Sequence, residues 1–240
     1  MGEPELADVL YLKSSSQVVA EVQDWIMRSH LRACDRLPPE RELARALRVS
    51  TGQVRRALSV LESVGLVESL ATGGKAVRGS QSPALGKLLR LHMSLAGFTV
   101  SDLVPIRIEL ERASAAQAAL DATPADLARL RQVVEKMSRR GVTPTEFGDL
   151  DCELHLRLAE AGRNSLAAFL LGTLETAMKT KMRTGYGRRS GWPGTAAQLA
   201  AEHEWIVNAI EDRDPQRAAN EVTNHISGFY RASHDSAADA

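Results

Sequence analysis

The short stretch DCELH places an aspartate and a histidine, Asp151 and His155, one helical turn apart. Both fall on the apolar stripe of a predicted amphipathic helix, which recurs at three- and four-residue steps. The apolar members of the stripe are Phe147, Leu150, Leu154 and Leu158. A helix that packs this stripe against a core also buries the carboxylate and the imidazole, and burying either without a partner costs roughly several kcal/mol. The pattern therefore predicts that another group meets them in the interior.

Two later predicted helices each direct one more histidine, His203 and His225, toward the interior. The surrounding stripes are Ala196, Leu199, Ala200, Ile206, Val207 and Ile210 for the first, and Val222, Ile226 and Phe229 for the second. Hydrogen bonding within the core is the ordinary fate of a single buried histidine, and that alternative stays open here. Three imidazoles and one carboxylate are also the ligand types of a divalent metal, which would give all four groups a partner at once.

Composition limits the class of protein. The chain has 240 residues, of which 44% are hydrophobic and 25% charged, as in a soluble globular protein of one large or two small domains. No apolar run approaches the ~20 residues needed to span a bilayer, and the first residues lack the pattern of a secretory signal. Two cysteines, Cys34 and Cys152, cannot form a disulfide framework. We therefore expect a cytoplasmic protein that does not associate with membranes.

Positive charge is concentrated near the amino terminus, although the net charge of the chain is zero. Residues 28–78 contain ten Lys or Arg residues and five acidic ones. This local excess suits a surface that binds a polyanion such as DNA. A solvated, mildly basic surface is the alternative on charge alone.

The first eighty residues predict a winged helix-turn-helix domain. Helical patterns in SSSQVVAEVQDWIMRSH, PERELARALR and TGQVRRALSVLESV are followed by two short strands around the glycine pair of LVESLATGGKAVRG. Ser50 is placed to cap the third helix. The solvent side of that helix carries Thr51, Gln53 and Arg55, which are side chains of the kind that contact bases and phosphates in the major groove.

The rest of the chain predicts an all-helical bundle. The Ser/Pro-containing stretch SQSP, 80–83, sets the predicted boundary between domains 1–80 and 81–240. The fold class is therefore mainly α, with one small β-hairpin. The stretch TGYGRRSGWPG is predicted to be the one long glycine-rich loop. Seven helices are expected at about 85–97, 101–121, 124–140, 144–162, 164–184, 195–212 and 214–232.

The run LPPERELARALRVSTGQVRRALSVLESVGLVE resembles the DNA-binding domain of GntR-type bacterial transcription regulators over about thirty positions. The family commonly has arginine where this chain has Thr51, and a G-R-G-T wing where this chain has TGGK, so the family's usual operator sequence does not carry over. The resemblance implies contacts with double-stranded operator DNA, an inverted repeat. The residues implicated are Arg41, Ser50, Thr51, Gln53, Arg55 and Lys75.

The carboxyl-terminal part resembles the FadR C-terminal ligand domain, which follows this type of DNA-binding domain in one GntR subfamily. The matching stretches are IRIELERASA, AGRNS and EHEWIVNAIEDRDPQRAANEVTNH, together with the order Asp-x3-His, His, His. The resemblance implies a divalent metal, zinc first and nickel, manganese or iron as alternatives. The implied ligands are Asp151, His155, His203 and His225. It also makes Arg107 a candidate clamp for a small carboxylate effector, with an ion pair to Glu109 or Glu111 as the alternative role.

These features lead to the hypothesis of a homodimeric transcription regulator, a repressor whose operator affinity depends on its effector. The Leu- and Ala-rich helices near 85–121 carry more apolar surface than one bundle needs, which favours the dimer. One alternative is a sensor for which the metal ion itself is the signal. Another is a metal-dependent hydrolase, but Glu202 and Glu204 beside His203 are turned away from its face, so we expect no enzyme.

Overall fold

The computed structural model describes residues 13–79, 82–187 and 191–238. Within these ranges the chain forms ten helices and one two-stranded antiparallel sheet, which confirms the predicted fold class. The chain divides into two compact units, Met1–Ala84 and Leu85–Ala240. The predicted domain boundary falls on residues 80 and 81, which lie outside the described residues, and it stays a prediction. None of the described helices is long and apolar enough to cross a membrane.

The first unit has the helix order of a winged helix-turn-helix. Its elements are α1 Ser15–Arg28, α2 Glu40–Leu47, α3 Thr51–Ser63, β1 Val67–Ser69 and β2 Lys75–Val77. The core is formed by apolar side chains at helical spacing, and Val54, Leu58 and Leu61 of α3 are buried in it. The strands pair with Val67 opposite Val77. The turn between them holds Gly73 and Gly74, both at the positive φ values that favour glycine.

The second unit is all-helical in the residues described. Its helices are α4 Pro83–Ala96, α5 Val100–Asp121, α6 Pro124–Met137, α7 Pro144–Ala161, α8 Ser165–Gly187, α9 Trp192–Glu211 and α10 Pro215–Ala238. Both α6 and α7 begin with a threonine cap followed by proline, and in each the threonine forms a capping box with an acidic residue three positions later. These signals explain why the predicted starts of α6 and α7 agree with the structure.

The prediction that TGYGRRSGWPG forms a loop is largely wrong. Helix α8 continues to Gly187 and α9 begins at Trp192, so helix covers most of the stretch, while residues 188–190 lie outside the described part. The cause is Tyr186, which is buried with its ring 5.6 Å from Phe147 and 4.7 Å from Phe229, between ring centroids. A buried aromatic cluster outweighs the cost of about 1 kcal/mol for each glycine in a helix.

Close packing at Gly162 sets α7 against α5. A Cβ atom added there would lie 2.8 Å from the backbone oxygen of Ser114, and backbone cannot move aside as a flexible side chain can. We expect Gly162→Val to lower the free energy of unfolding by about 1–3 kcal/mol through overpacking. Gly228→Ala is the matched control, because nothing lies within 4 Å of its added Cβ, and we expect it to stabilise α10 by about 0.5–1 kcal/mol. Urea denaturation measures both, and equal stability of the two variants would contradict this packing.

Candidate metal centre

Four buried side chains from three helices meet at one point in the second unit. Asp151 and His155 come from α7, His203 from α9 and His225 from α10, and none is more than 4% exposed. Asp151 Oδ1 lies 3.1 Å from His203 Nε2, 3.6 Å from His155 Nε2 and 3.8 Å from His225 Nε2. One ligand atom from each residue lies within 4.8 Å of the other three. The structure thus brings together all four residues that the sequence had singled out.

Two glutamates orient the histidine rings from outside this cluster. Glu111 Oε2 contacts Nδ1 of His155, and Glu202 Oε2 lies 2.8 Å from Nδ1 of His225. With Nδ1 engaged, the Nε2 atom of each ring faces Asp151. A carboxylate on the far nitrogen fixes the ring and the tautomer of a metal-ligating histidine. Sequence reasoning missed both roles. It considered Glu111 only as a partner of Arg107, and it noted that Glu202 faces away from His203 without finding that it reaches α10.

The cluster lacks internal partners for several of its atoms. Although Asp151 Oδ1 lies 3.1 Å from His203 Nε2, the geometry is not that of a hydrogen bond, and Asp151 Oδ1, His155 Nε2 and both ring nitrogens of His203 are buried without one among the described residues. Leaving such atoms unsatisfied is costly, and a divalent ion among Oδ1 and the Nε2 atoms would satisfy them. The residues present therefore fit a metal. This donor set of one oxygen and three nitrogens suits zinc, nickel, manganese or iron.

The electrostatics of the cluster favour the ligating forms of two residues. Burial and the nearby His225 lower the pKa of His203 to about 4, so its imidazole is neutral near pH 7. Burial opposes ionisation of Asp151, but His155 and the other two histidines outweigh it and hold the pKa of Asp151 well below its usual range. For His155, burial is outweighed by Glu111 and Asp151, which raise its pKa to about 10. A metal ion would have to displace that proton.

Arg107 is joined to the cluster through Glu111. It is buried in α5, and its Nε donates to Glu111 Oε1 at 2.5 Å, while Nη1 lies 3.4 Å from the Tyr230 hydroxyl. Burial would raise the pKa of Glu111, but Arg107 and His155 outweigh it and lower that pKa to about 2. The ion pair considered as the alternative role of Arg107 is therefore present. A continuous chain runs from Arg107 through Glu111 to His155.

A further buried acid, Glu175 of α8, lies close to this chain. Burial raises its pKa to about 8, although Arg107 and His155 act in the opposite direction. Sequence reasoning missed Glu175. The signal was available, because Leu171, Glu175 and Met178 share one helical stripe and all three are buried.

The predicted DNA-contacting residues differ in how far their side chains are exposed to solvent. Arg41 and Ser50 are exposed and Thr51 is half-buried. Arg55 is exposed, and its Nη2 lies 2.8 Å from Glu40 Oε2. The Arg55–Glu40 pair lies on the surface, where such pairs are weak.

Gln53 and Lys75 are already engaged within the first unit. Gln53 was expected on the solvent side of α3, but it is half-buried, closes the capping box with Ser50 and donates to the backbone oxygen of Lys13. Lys75 Nζ lies 2.6 Å from Glu62 Oε2. A capping residue and a half-buried, paired lysine have structural roles, and Arg41 and Arg55 are the exposed charged side chains of the predicted set.

Comparison with known proteins supports both units. Residues 14–77 match the family model of bacterial regulatory proteins of the gntR family, and residues 102–228 match the FCD domain model. The chain is 27% identical over 226 residues to the Glc operon transcriptional activator of Escherichia coli K12, covering 91% of this chain and 89% of the relative. It is 27% identical over 207 residues to the HTH-type transcriptional regulator LutR of Bacillus subtilis 168, covering 84% and 93%.

A solved structure shows the same fold. The Streptococcus agalactiae GntR structure matches with a TM-score of 0.63 at 22% identity, covering 91% of this chain and 100% of that one. These relatives are transcription regulators, so the hydrolase alternative is set aside. The family matches cover both the helix-turn-helix unit and the helical unit that holds the candidate metal centre. The chain belongs to the GntR family of bacterial transcription regulators and carries a carboxyl-terminal FCD domain.

Proposed function

We propose that this regulator binds operator DNA through its first unit, and that a small carboxylate effector bound at the metal centre of the second unit controls operator affinity. The observation that carries the proposal is the buried Asp/His cluster with unpartnered ligand atoms. In a domain that is not catalytic, a site of this kind serves to bind a ligand or a signal. The test is a titration of metal-loaded protein with small acids, with operator affinity as the readout.

A bound divalent ion would be held by Asp151, His155, His203 and His225, and would offer its remaining coordination positions to a carboxylate. Zinc is our first choice, with nickel, manganese or iron as alternatives. Arg107 has five N–H donors, of which Nε serves Glu111. Its terminal nitrogens would form a bidentate pair with the carboxylate, replacing or joining their present partners.

Linkage gives the mechanism of control. An effector that binds preferentially to one arrangement of the regulator shifts the population toward that arrangement. We propose a repressor that its ligand releases from DNA, and a reporter gene under the operator would show expression rising with the effector. The Escherichia coli relative is named an activator, and the same experiment would reveal the opposite sign. Operator DNA lies in the bacterial cytoplasm, so this function places the protein there.

The alternative that the ion itself is the signal is favoured by the same cluster, and one comparison separates the two. If the ion is the signal, adding metal to chelated protein changes operator affinity without any acid. If the effector is the signal, metal alone changes little and the acid acts only on metal-loaded protein.

We further propose a homodimer, because α4 presents an apolar face in the single chain. The exposed residues of this face are Leu85, Leu88, Leu91 and Leu95, with Phe98 after the helix end. Apolar patches of this kind mark interaction surfaces, and a second copy fits because a two-fold dimer matches an inverted-repeat operator.

Light scattering at micromolar concentration should give twice the 26.1 kDa chain mass. Leu95→Glu should give the single mass, and Trp205→Glu on α9 should not. A monomeric wild type would contradict the dimer.

Arg55 gives the sharpest test of DNA contact in the first unit. We expect Arg55→Ala to weaken operator binding about ten- to a hundredfold per half-site if it reads a base. If Arg55 contacts only phosphate, the loss will be equal for all sequences and the salt dependence will weaken. Fluorescence anisotropy with DNA from upstream of the gene measures both, and Arg129→Ala on α6 is the control. Unchanged binding by Arg55→Ala would remove this residue from the interface.

A further inference from the structure

The carboxyl group of Glu175 is buried, and it is neither a candidate metal ligand nor one of the glutamates that orient the histidine rings. Glu175 is 5% exposed, and its Oε1 has no hydrogen-bond partner among the described residues. The two other glutamates of this region each contact a basic side chain, since Glu111 contacts Arg107 and His155, and Glu202 contacts His225. An unpartnered carboxyl oxygen in a core destabilises the fold. A group that lowers stability and makes no compensating contact is a candidate for ligand binding.

Glu175 belongs to the same part of the interior as the proposed clamp and the metal ligands. Helix α8, which carries it, packs against both α5 and α7, the helices of Arg107 and of Asp151 and His155. Glu175 lies close enough to interact electrostatically with each of these three residues. A small molecule held between Arg107 and the metal ligands would therefore have a buried carboxyl group nearby as well as a cation.

We infer that Glu175 is a specificity-determining residue of the effector site, and that the effector is a small carboxylic acid carrying a hydroxyl or amino group. The effector carboxylate would go to Arg107 and the ion, and its hydroxyl or amino group would donate to Glu175 Oε1. This inference rests on the proposed function. A site with a buried polar group rejects the analogue that lacks the matching group, because the protein atom is then left unpaired.

The experiment uses the full-length, metal-loaded protein and isothermal titration with matched acids. The probes are propanoate, 2-hydroxypropanoate and 2-aminopropanoate, with their four-carbon counterparts. We expect either the hydroxy or the amino acid to bind at least about tenfold more tightly than the unsubstituted acid, the value of one good hydrogen bond. Glu175→Leu should bring that ratio close to one.

Two further variants test the acceptor and control for effects unrelated to it. Glu175→Gln keeps an oxygen acceptor at the same place, so it should retain the preference that Glu175→Leu loses. Glu204→Gln, an exposed residue of α9, should bind as the wild type does. Without ligand, Glu175→Leu should melt at or above the wild-type temperature, because it removes an unsatisfied buried atom.

Three results would overturn the inference. Equal binding of substituted and unsubstituted acids by the wild type would remove the role of Glu175 while leaving the metal and Arg107 in place. A preference that survives in Glu175→Leu would do the same. If no acid of the panel binds to the metal-loaded protein, the small-carboxylate function proposed for the site fails together with this inference.

Discussion

Replacing His203 with alanine is expected to reduce the metal content from about one equivalent per chain to almost none. His203 is fully buried, and its Nε2 lies 3.1 Å from Asp151 Oδ1 at the centre of the cluster. Removing one of four protein ligands should weaken binding enough for the ion to be lost during desalting. Elemental analysis of protein purified without chelator and then desalted measures the effect. His92→Ala, which removes an exposed histidine of α4, should keep the full equivalent.

Thermal melting shows whether the His203→Ala variant has lost metal or has misfolded. A ligand present at about a thousand times its dissociation constant stabilises the folded state by about 4 kcal/mol. Chelation should therefore lower the melting temperature of the wild type by several degrees, and should leave a folded His203→Ala variant unchanged. Full metal content in this variant, or a wild type that is insensitive to chelation and free of metal, would contradict the proposed centre.

Replacing Arg107 with methionine is expected to abolish the effector response and to destabilise the second unit by about 3–5 kcal/mol. The reason for the second effect is that Arg107 and Glu111 form a buried ion pair, and the substitution leaves the Glu111 carboxylate without its arginine partner. Because Glu111 also holds His155, metal affinity should fall as well, by roughly ten- to a hundredfold. Denaturant unfolding, metal competition and operator binding with added acid measure the three effects.

The double variant Arg107→Met/Glu111→Gln separates the clamp from the ion pair. Neutralising Glu111 removes the carboxylate charge that has lost its arginine partner, so most of the lost stability should return. The effector response should not return, because the guanidinium that would hold the carboxylate beside the ion is still missing. A double variant that responds to acid as the wild type does would show that Arg107 serves only the fold.

Features that follow from local periodicity and helix capping could be predicted from the sequence. The three- and four-residue spacing predicted the helical stripes, and Thr123 and Thr143 before prolines fixed the starts of α6 and α7. The same spacing identified Asp151 and His155 as inward-facing, because a helix brings residues i and i+4 to one side. Whether stripes on three helices converge on one point is a property of packing, and the structure supplied it.

Features that depend on contacts between helices were not predictable in this way. Glu202 reaches His225 only because α9 lies beside α10, and nothing in the local pattern around Glu202 indicates this contact. The extension of α8 depends on the aromatic partners of Tyr186, which are distant in sequence. Gln53 illustrates a local competition, since the same side chain can face DNA or cap α3, and in the structure it caps the helix.

The central claim is that a small acid bound at the metal centre sets operator affinity. The most direct measurement is the fluorescence anisotropy of promoter DNA, titrated with metal-loaded wild type and with His203→Ala, each with and without the acid panel. We predict that at least one acid shifts the operator dissociation constant of the wild type by tenfold or more, about 1.4 kcal/mol of coupling, and that no acid shifts it for His203→Ala. An equal shift in both proteins, or no shift in the metal-loaded wild type, would contradict the account.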